Sequence, residues 1–320
     1  MRYFITGGAG FIGSHLVDKL IQMGEVKVYD NLSSGKKEFI QHHLSNPKFS
    51  FVRADLLDLD RLRREIAGFD AVFHLAANPD ARLGLKDTSL DLRQETIATY
   101  NVLEAMRLSG IRTMVFSSSG TIYGETPMIP LPEDCGPVLP ISLYGAGKVA
   151  SEALITAFCH TFDMQCWIYR FANIVGSRGT HGVIFDFIHK LKKNPEQLEI
   201  LGDGTQEKPY LCVEDCVDGM LFGFENSSDR VNYFNLGCES TTNVSSIARM
   251  VVEGMGLKNV VFNYTGGERG WPGDVPQVRF NVDKVRKLGW SPKVDSDQAV
   301  RRAVKFMVRE IIRVEEVCRR

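Results

Sequence analysis

The run Arg2-Tyr3-Phe4-Ile5-Thr6-Gly7-Gly8-Ala9-Gly10-Phe11-Ile12-Gly13-Ser14-His15-Leu16 decides the fold of the first half of this chain. Its glycines satisfy the G-x-G-x-x-G template at Gly8, Gly10 and Gly13. Apolar residues precede the turn at 3–5, and others follow it at a four-residue spacing, at Ile12, Leu16 and Leu20. The stretch therefore predicts a strand, a tight turn and a helix whose first N–H groups can bind a pyrophosphate.

A second apolar run, residues 26–29, ends at Asp30, which lies 17 positions beyond Gly13. A carboxylate at about this distance accepts hydrogen bonds from the adenosine ribose and repels a 2′-phosphate. The pattern therefore favours NAD over NADP as the cofactor. The alternative interpretation is a glycine-rich turn that holds no ligand.

Composition is that of a globular enzyme. The chain has 320 residues, 44% of them hydrophobic, and a net charge of −1, so it carries no basic signature of nucleic-acid binding. No apolar run reaches the ~18 residues that suggest a membrane span, and no signal peptide is visible, which predicts a cytoplasmic protein. The seven cysteines include no C-x-x-C pair, so neither a disulfide framework nor a metal site is expected.

Strand-like runs alternate with helical segments at residues 50–53, 71–75, 113–117 and 166–170. This alternation predicts an α/β fold with a doubly wound parallel sheet of the Rossmann type. We predict an NAD-binding domain at 1–173, to which the chain returns near 232–238, and a smaller C-terminal α+β substrate-binding lobe at 174–320. The strand ends predict a ligand cleft lined by Asp30, Asp55, Ala76, Ala77, Ser117 to Ser119 and Asn173.

Tyr144 and Lys148 are four residues apart, so a helix would place the phenol beside the ammonium. The cation favours the phenolate, which can then act as a base, and a hydroxyl from residues 117–119 would complete the site. A surface tyrosine and lysine is the alternative. Glu152 and Asp163 are interpreted as solvated helix charges.

Taken together, these motifs resemble the extended short-chain dehydrogenase/reductase family, and within it the nucleotide-sugar epimerases of the UDP-glucose (UDP-galactose) 4-epimerase type. The resemblance rests on the glycine run, Asp30 to Gly35, His74 to Ala77, Ser117 to Gly124 and Tyr144 to Lys148. It implies Tyr144 as the base, Lys148 as its partner and Ser119 as the hydroxyl. The cofactor-binding residues that it implies are Gly7, Gly10, Phe11, Ile12, Asp30, Asn31, Ser34, Gly35, Asp55, Leu56, Leu75, Ala76, Ala77, Ser117, Tyr144 and Lys148.

The resemblance also implies a UDP-sugar substrate. Its binding residues would be Ser119, Asn173, Arg82, Lys208, Arg269 and Asp274. An arginine fork suits a diphosphate and a carboxylate suits a ribose diol. The chain departs from the family pattern at Lys208, which stands where an arginine is usual, and at Glu95, which replaces an asparagine that usually faces the cofactor. A carboxylate at 95 would either be exposed or alter the retention of NAD.

The resemblance implies NAD-dependent 4-epimerisation of a UDP-hexose, UDP-glucose or UDP-galactose, through a 4-keto intermediate. Related dehydratases carry an Asp-Glu pair, and decarboxylases a glutamate, where this chain has Gly120 and Thr121. UDP-glucuronate remains an alternative because Arg82 or Arg178 can pair with a carboxylate, and UDP-GlcNAc because Val278 is small. A non-catalytic NAD-binding regulator and a reductase that releases NADH also remain open. Helices predicted at 91–109 and 145–162 favour a homodimer.

Overall fold

The computed structural model describes the backbone of residues 1–318 and the side chains of residues 1–311. Its strands are β1 (Arg2–Thr6), β2 (Glu25–Asp30), β3 (Phe49–Arg53), β4 (Ala71–His74), β5 (Thr113–Ser119), β6 (Gln165–Phe171), β7 (Asn173–Val175), β8 (Gln197–Ile200), β9 (Glu207–Lys208), β10 (Tyr210–Cys212), β11 (Val231–Leu236), β12 (Thr242–Asn243) and β13 (Val261–Tyr264). Its α-helices are α1 (Phe11–Met23), α2 (Leu59–Ile66), α3 (Ala98–Leu108), α4 (Leu143–Thr161), α5 (Val183–Lys193), α6 (Val213–Asn226), α7 (Val244–Gly254), α8 (Asp283–Leu288) and α9 (Ser296–Cys318).

A seven-stranded sheet organises the molecule in the order β11-β6-β5-β4-β1-β2-β3. The strands run parallel, with Tyr3 opposite Val26 on one side of β1 and opposite Ala71 on the other. This confirms the predicted doubly wound parallel sheet. The strand order reverses at β1, between β2 and β4, so a ligand crevice is expected beyond the carboxyl ends of β1 and β4.

The chain divides into two compact units. The first contains residues 1–124, 136–170 and 220–234, and the second contains residues 125–135, 171–219 and 235–320. Residues 125–135 lie in the second unit, although the strand–helix pattern predicts them within an NAD-binding domain at 1–173. The alternation of strands and helices does not predict where residues 125–135 lie, because this segment forms no strand or helix of its own.

Apolar side chains on the face of the large sheet that α3 and α4 cover form one core of the first unit. Phe4, Val72 and Phe116 on the strands pack with Val102 of α3 and Ile155 of α4, each of them fully buried. A strand covered on both faces is expected to be apolar along its length, which is the composition of β1 and β4. The helices α3 and α4 are thereby fixed against the sheet.

The second unit has its own core between α5, α7 and α9, with Phe187, Val251 and Val304 buried within it. Three small sheets, β7 with β10, β9 with β12 and β8 with β13, complete this unit. Helices beside short strands agree with the predicted α+β character of the lobe. Across the described residues, none of the helices has the length and apolar composition needed to cross a membrane.

Candidate active site

The glycine turn connects β1 to α1 as predicted. Gly10 precedes the helix and no side chain caps its amino end, so the first N–H groups of α1 are not used by a cap. Gly7 has φ +69°, and a Cβ there would lie 2.5 Å from the backbone nitrogen of Ala76. The residue must therefore be glycine, because the turn passes directly against the chain that leaves β4.

Asp30 lies at the carboxyl end of β2, beside this turn. Its carboxylate accepts the backbone N–H of Ala9 at 3.0 Å and that of Leu32 at 2.8 Å. Burial raises the pKa of Asp30, while these two hydrogen bonds act in the opposite direction. On the same edge, Asn31 donates to the Asp55 carboxylate at 2.9 Å. The predicted ribose and adenine residues thus lie together.

Tyr144 and Lys148 lie one turn apart on α4, as their spacing predicts. The hydroxyl of Ser142 caps this helix by accepting the N–H of Gly145 at 3.1 Å, which fixes where it begins. The Lys148 Nζ lies 5.6 Å from the centre of the Tyr144 ring and donates to the Ser117 carbonyl at 2.9 Å. The helix start and β5 therefore hold the phenol and the ammonium side by side.

Ser119 supplies the hydroxyl of this cluster. Its Oγ accepts the N–H of Thr121 at 3.2 Å and the hydroxyl proton of Thr121 at 3.0 Å. With its oxygen receiving two hydrogen bonds, Ser119 retains its own proton for donation. Burial raises the pKa of Tyr144, whereas Lys148 and the hydrogen bond with Ser119 lower it.

Glu95 is not exposed. It belongs to a π-helical turn, Leu92–Ile97, and its carboxylate lies 2.8 Å from the Lys148 Nζ, with 1% of each side chain exposed. The expectation of an exposed carboxylate is therefore excluded. Glu95 departs from the family pattern, but its spacing along the chain does not indicate Lys148 as its partner.

Glu152 also differs from its predicted role as a solvated helix charge. Instead of facing solvent, it pairs with Arg170 at 2.8 Å and accepts the hydroxyl of Ser118 at 2.5 Å. Arg170 also donates to the Tyr123 hydroxyl at 2.9 Å. This half-buried network joins α4, β5 and β6. Asp163, in contrast, is 75% exposed, as expected.

Three of the predicted substrate residues meet in the second unit. The Lys208 ammonium pairs with the Asp274 carboxylate, and Arg269 donates to the Asp274 carbonyl at 2.8 Å. Arg269 also pairs with Glu125, a residue to which no motif in the sequence points. Asp274 further accepts the N–H of Gly270 at 3.1 Å. The loop after residue 268 is thus folded around one carboxylate.

Asn173 lies opposite Tyr210 in the register of β7 and β10. Burial raises the pKa of Tyr210, and a hydrogen bond with Asn173 acts to lower it. The Asp274 carboxylate also acts on Tyr210, raising its pKa. Tyr210 therefore links Asn173 to the group formed by Lys208, Arg269 and Asp274.

Arg82 in the first unit is held by its own turn. Its guanidinium meets both oxygens of Asp80, at 2.8 and 2.9 Å. Asp80 therefore already occupies the two N–H groups with which Arg82 would bind a substrate carboxylate.

Asp18, His42 and His43 bring three atoms of metal-ligand type within 4.8 Å of one another. Each imidazole hydrogen-bonds the same Asp18 oxygen, at 2.9 and 2.7 Å. These two hydrogen bonds to one carboxylate oxygen account for the proximity of Asp18, His42 and His43.

Comparison with known proteins agrees with this geometry. Residues 3–237 match the model of the NAD dependent epimerase/dehydratase family. The chain belongs to this family. A UDP-glucose 4-epimerase of Mycolicibacterium smegmatis is 33% identical over 317 residues, which cover 96% of this chain and 98% of that protein.

Solved structures agree as well. A UDP-galactose 4-epimerase matches with a TM-score of 0.87 and 41% identity, covering 97% of this chain and all of that one, 100%. A UDP-glucuronic acid 4-epimerase from Bacillus cereus, solved with UDP-glucuronic acid and NAD, has a TM-score of 0.88 at 26% identity, covering 97% and 100% of the two chains. The matched enzymes thus share a fold and differ in their sugars.

As a family member, the protein is an NAD-dependent enzyme, and the residues present fit that cofactor. The uncapped start of α1 offers N–H groups to a pyrophosphate, and the space at Gly7 is one that a Cβ would fill. Asp30 lies at the adjacent strand end, where the ribose hydroxyls are expected. Lys148 contacts the Ser117 carbonyl of β5, on the other side of the switch point from Asp30.

Proposed function

We propose that the protein is a UDP-hexose 4-epimerase that interconverts UDP-glucose and UDP-galactose. The observation that supports this most is the cluster of Ser119, Tyr144 and Lys148, in which a phenol lies beside a buried ammonium and a hydroxyl with a proton to donate. Such a cluster can remove a proton from an alcohol that is being oxidised.

In the proposed reaction, the Tyr144 phenolate takes the proton of the sugar 4-hydroxyl while the bond between carbon 4 and its hydrogen breaks. NAD, when bound, supplies the hydride acceptor and then the hydride donor for carbon 4. Ser119 donates a hydrogen bond from its hydroxyl to the 4-oxygen and so orients it, while keeping its own proton. The 4-keto sugar then rotates in the site. Carbon 4 receives the hydride on its other face, and the 4-oxygen takes the proton back from Tyr144.

Elimination and decarboxylation need further acid and base groups. The turn after β5, Gly120–Tyr123, carries no carboxylate and begins with Gly120 and Thr121. Thr121 is engaged with Ser119. A 4-epimerisation needs neither a second acid nor a second base, so it is the reaction that these residues can complete.

The state of Arg82 favours a neutral sugar over a uronate. Its bidentate pair with Asp80 would have to break before the guanidinium could bind a sugar carboxylate. We assign the nucleotide to Asn173, Lys208, Arg269 and Asp274. In this assignment Lys208 or Arg269 meets the diphosphate and the Asp274 carboxylate meets the ribose diol.

The experiment offers UDP-glucose, UDP-GlcNAc and UDP-glucuronate to the NAD-loaded protein and follows product formation and nicotinamide absorbance. We expect UDP-galactose from UDP-glucose, with only transient reduced nicotinamide. Exclusive turnover of the uronate would overturn the choice of sugar. Stoichiometric release of NADH would identify a reductase, and no absorbance change with any sugar a regulator.

We also propose a homodimer in the cytoplasm. Helices α3 and α4 expose apolar side chains, with Tyr100 and Leu143 each 43% exposed. Burying such surface against a second copy removes it from water. Sedimentation at micromolar concentration tests this, and a purely monomeric protein would contradict it.

A further inference from the structure

The feature that the proposed reaction does not use is the carboxylate of Glu95. One of its oxygens accepts the N–H of Asn78 at 3.1 Å, and the other lies 2.8 Å from the Lys148 Nζ. The exposed fraction is 1% for both side chains of the pair. Burial raises the pKa of Glu95, and the Lys148 ammonium and the N–H of Asn78 act against that rise, so these partners are what keep the carboxylate charged.

The backbone brings this charge to α4 by close packing. A Cβ on Gly147 would lie 2.8 Å from the Glu95 Cβ, so only glycine lets the π-helical turn approach this closely. Ser151 fastens the contact by donating its hydroxyl to the Glu95 carbonyl at 3.1 Å. A π-helical turn shifts the register of the residues around it, and such turns often occur at functional sites.

We propose that Glu95 is a positioning residue that holds the Lys148 ammonium and weakens the positive field that this ammonium exerts at the Tyr144 hydroxyl. The inference rests on the proposed function for its consequence in catalysis, although the charge arrangement can be tested without turnover. A carboxylate at ion-pair distance cancels much of the net charge that a more distant phenol experiences.

The other charges around this pair act in known directions. The titratable groups that face Tyr144 and Lys148 from the neighbouring elements are His74 on β4, Asp91 and Glu95 beside α3, and Glu152 on α4. Burial raises the pKa of Tyr144, Lys148 lowers it, and Glu95 and Asp91 raise it again. Burial acts to lower the pKa of Lys148, but Glu95 and Tyr144 outweigh that and raise it.

Two consequences follow. The phenolate of Tyr144 forms at higher pH than it would beside an uncompensated lysine, so the base is protonated more readily when it takes the sugar proton. The lysine stays charged, because its counter-ion is built into the fold. Glu95 therefore lowers the fraction of Tyr144 that is ionised, and in return it fixes the position of the Lys148 ammonium.

The test replaces the charge while keeping the shape. In NAD-loaded Glu95→Gln, the phenolate of Tyr144 is titrated by near-ultraviolet difference absorption against the same variant carrying Tyr144→Phe. We expect the midpoint to fall by about one pH unit relative to the native residue, because a like charge near the phenol is removed. The acidic limb of kcat with UDP-glucose should move by the same amount.

Controls separate charge from structure. The control variant Glu65→Gln removes a different carboxylate, the one on α2 that lies 3.0 Å from the Lys27 Nζ. It should leave the titration midpoint of Tyr144 unchanged. Glu95→Asp keeps the charge and should restore the native midpoint, whereas a merely structural role would leave Asp and Gln alike. If Glu95→Gln does not fold, Glu95→Asn provides a second uncharged side chain at this position.

The outcome can be interpreted whether or not the proposed function holds. An unchanged midpoint in a folded, uncharged variant overturns the inference, as does an equal shift in Glu95→Asp. A shifted midpoint without turnover of any UDP-sugar supports the inference and rejects the epimerase instead.

Discussion

Two lysine–carboxylate pairs, one in each unit, show how differently the same chemistry is used. Lys148 and Glu95 in the first unit are both 1% exposed, whereas Lys208 and Asp274 in the second unit are 24% and 9% exposed. A buried pair is costly to break, because a lone charge cannot be hydrated, while a partly hydrated pair can exchange partners. The first pair therefore suits fixed catalytic geometry, and the second suits a ligand that displaces one partner.

In the buried region of the first unit, we expect the largest loss of activity from Tyr144→Phe. Only the hydroxyl is lost, so the fold and NAD binding should persist while kcat falls by about a thousandfold, within the range for a general base. Steady-state kinetics with UDP-glucose and the NAD content of the purified variant are the measurements. Near-native turnover would remove Tyr144 from the mechanism.

Lys148→Met and Lys208→Met test whether the two pairs differ in their contribution to stability. Lys148→Met leaves Glu95 buried without its cation and should lower the free energy of unfolding by about 3–5 kcal/mol. Lys208→Met should cost less than Lys148→Met, because Lys208 is 24% exposed and Asp274 keeps the N–H of Gly270 as a donor. Denaturant titration of both variants gives the two values. The double variant Glu95→Gln, Lys148→Met should recover part of the loss, and equal costs for the two lysines would contradict the distinction.

Local patterns in the sequence predicted the elements that carry the first unit, because β1, the glycine turn and α1 are specified by neighbouring residues. The Tyr144–Lys148 pair was predictable for the same reason, since one helical turn fixes it. Glu95 is different: its contact with Lys148 depends on a π-helical turn and on the packing of α4 at Gly147. Glu152 was assigned to solvent because helical spacing alone does not say which face meets Arg170.

A smaller effect is expected where the second unit is altered at Arg269. The guanidinium donates to the Asp274 carbonyl and pairs with Glu125, so Arg269→Ala loosens the loop and removes a diphosphate donor. A charge-assisted hydrogen bond is worth about 1.5–3 kcal/mol, which predicts a rise in KM of at least about tenfold. The kcat should change little, and initial rates across a range of UDP-glucose concentrations measure both. A loss confined to kcat would place Arg269 among the reacting groups.

The effect that is smallest at neutral pH, and appears only on acidification, concerns His74, a buried residue on β4. Its ring contacts the hydroxyls of Thr6 at 2.7 Å and Thr99 at 3.1 Å. Burial, with a further contribution from Lys148, lowers the pKa of His74 from 6.5 to about 3. The folded protein therefore holds this imidazole neutral at a pH where the unfolded chain protonates it.

The sign of the pH dependence follows from this depression. Above about pH 6.5 the imidazole is neutral in both states and contributes its full stability. As the pH falls from 6.5 towards 3, the unfolded chain gains a proton that the folded chain does not, so stability drops by up to about 1.4 kcal/mol per pH unit from this residue. His74→Gln should have a flatter slope of unfolding free energy against pH over this window, measured by denaturant titration. His160→Gln is the matched control, because His160 on α4 is exposed and its replacement should leave the slope as it was. Equal slopes for the native protein and His74→Gln would mean that the first unit admits a charged imidazole at no cost, which would contradict a dry environment around Lys148.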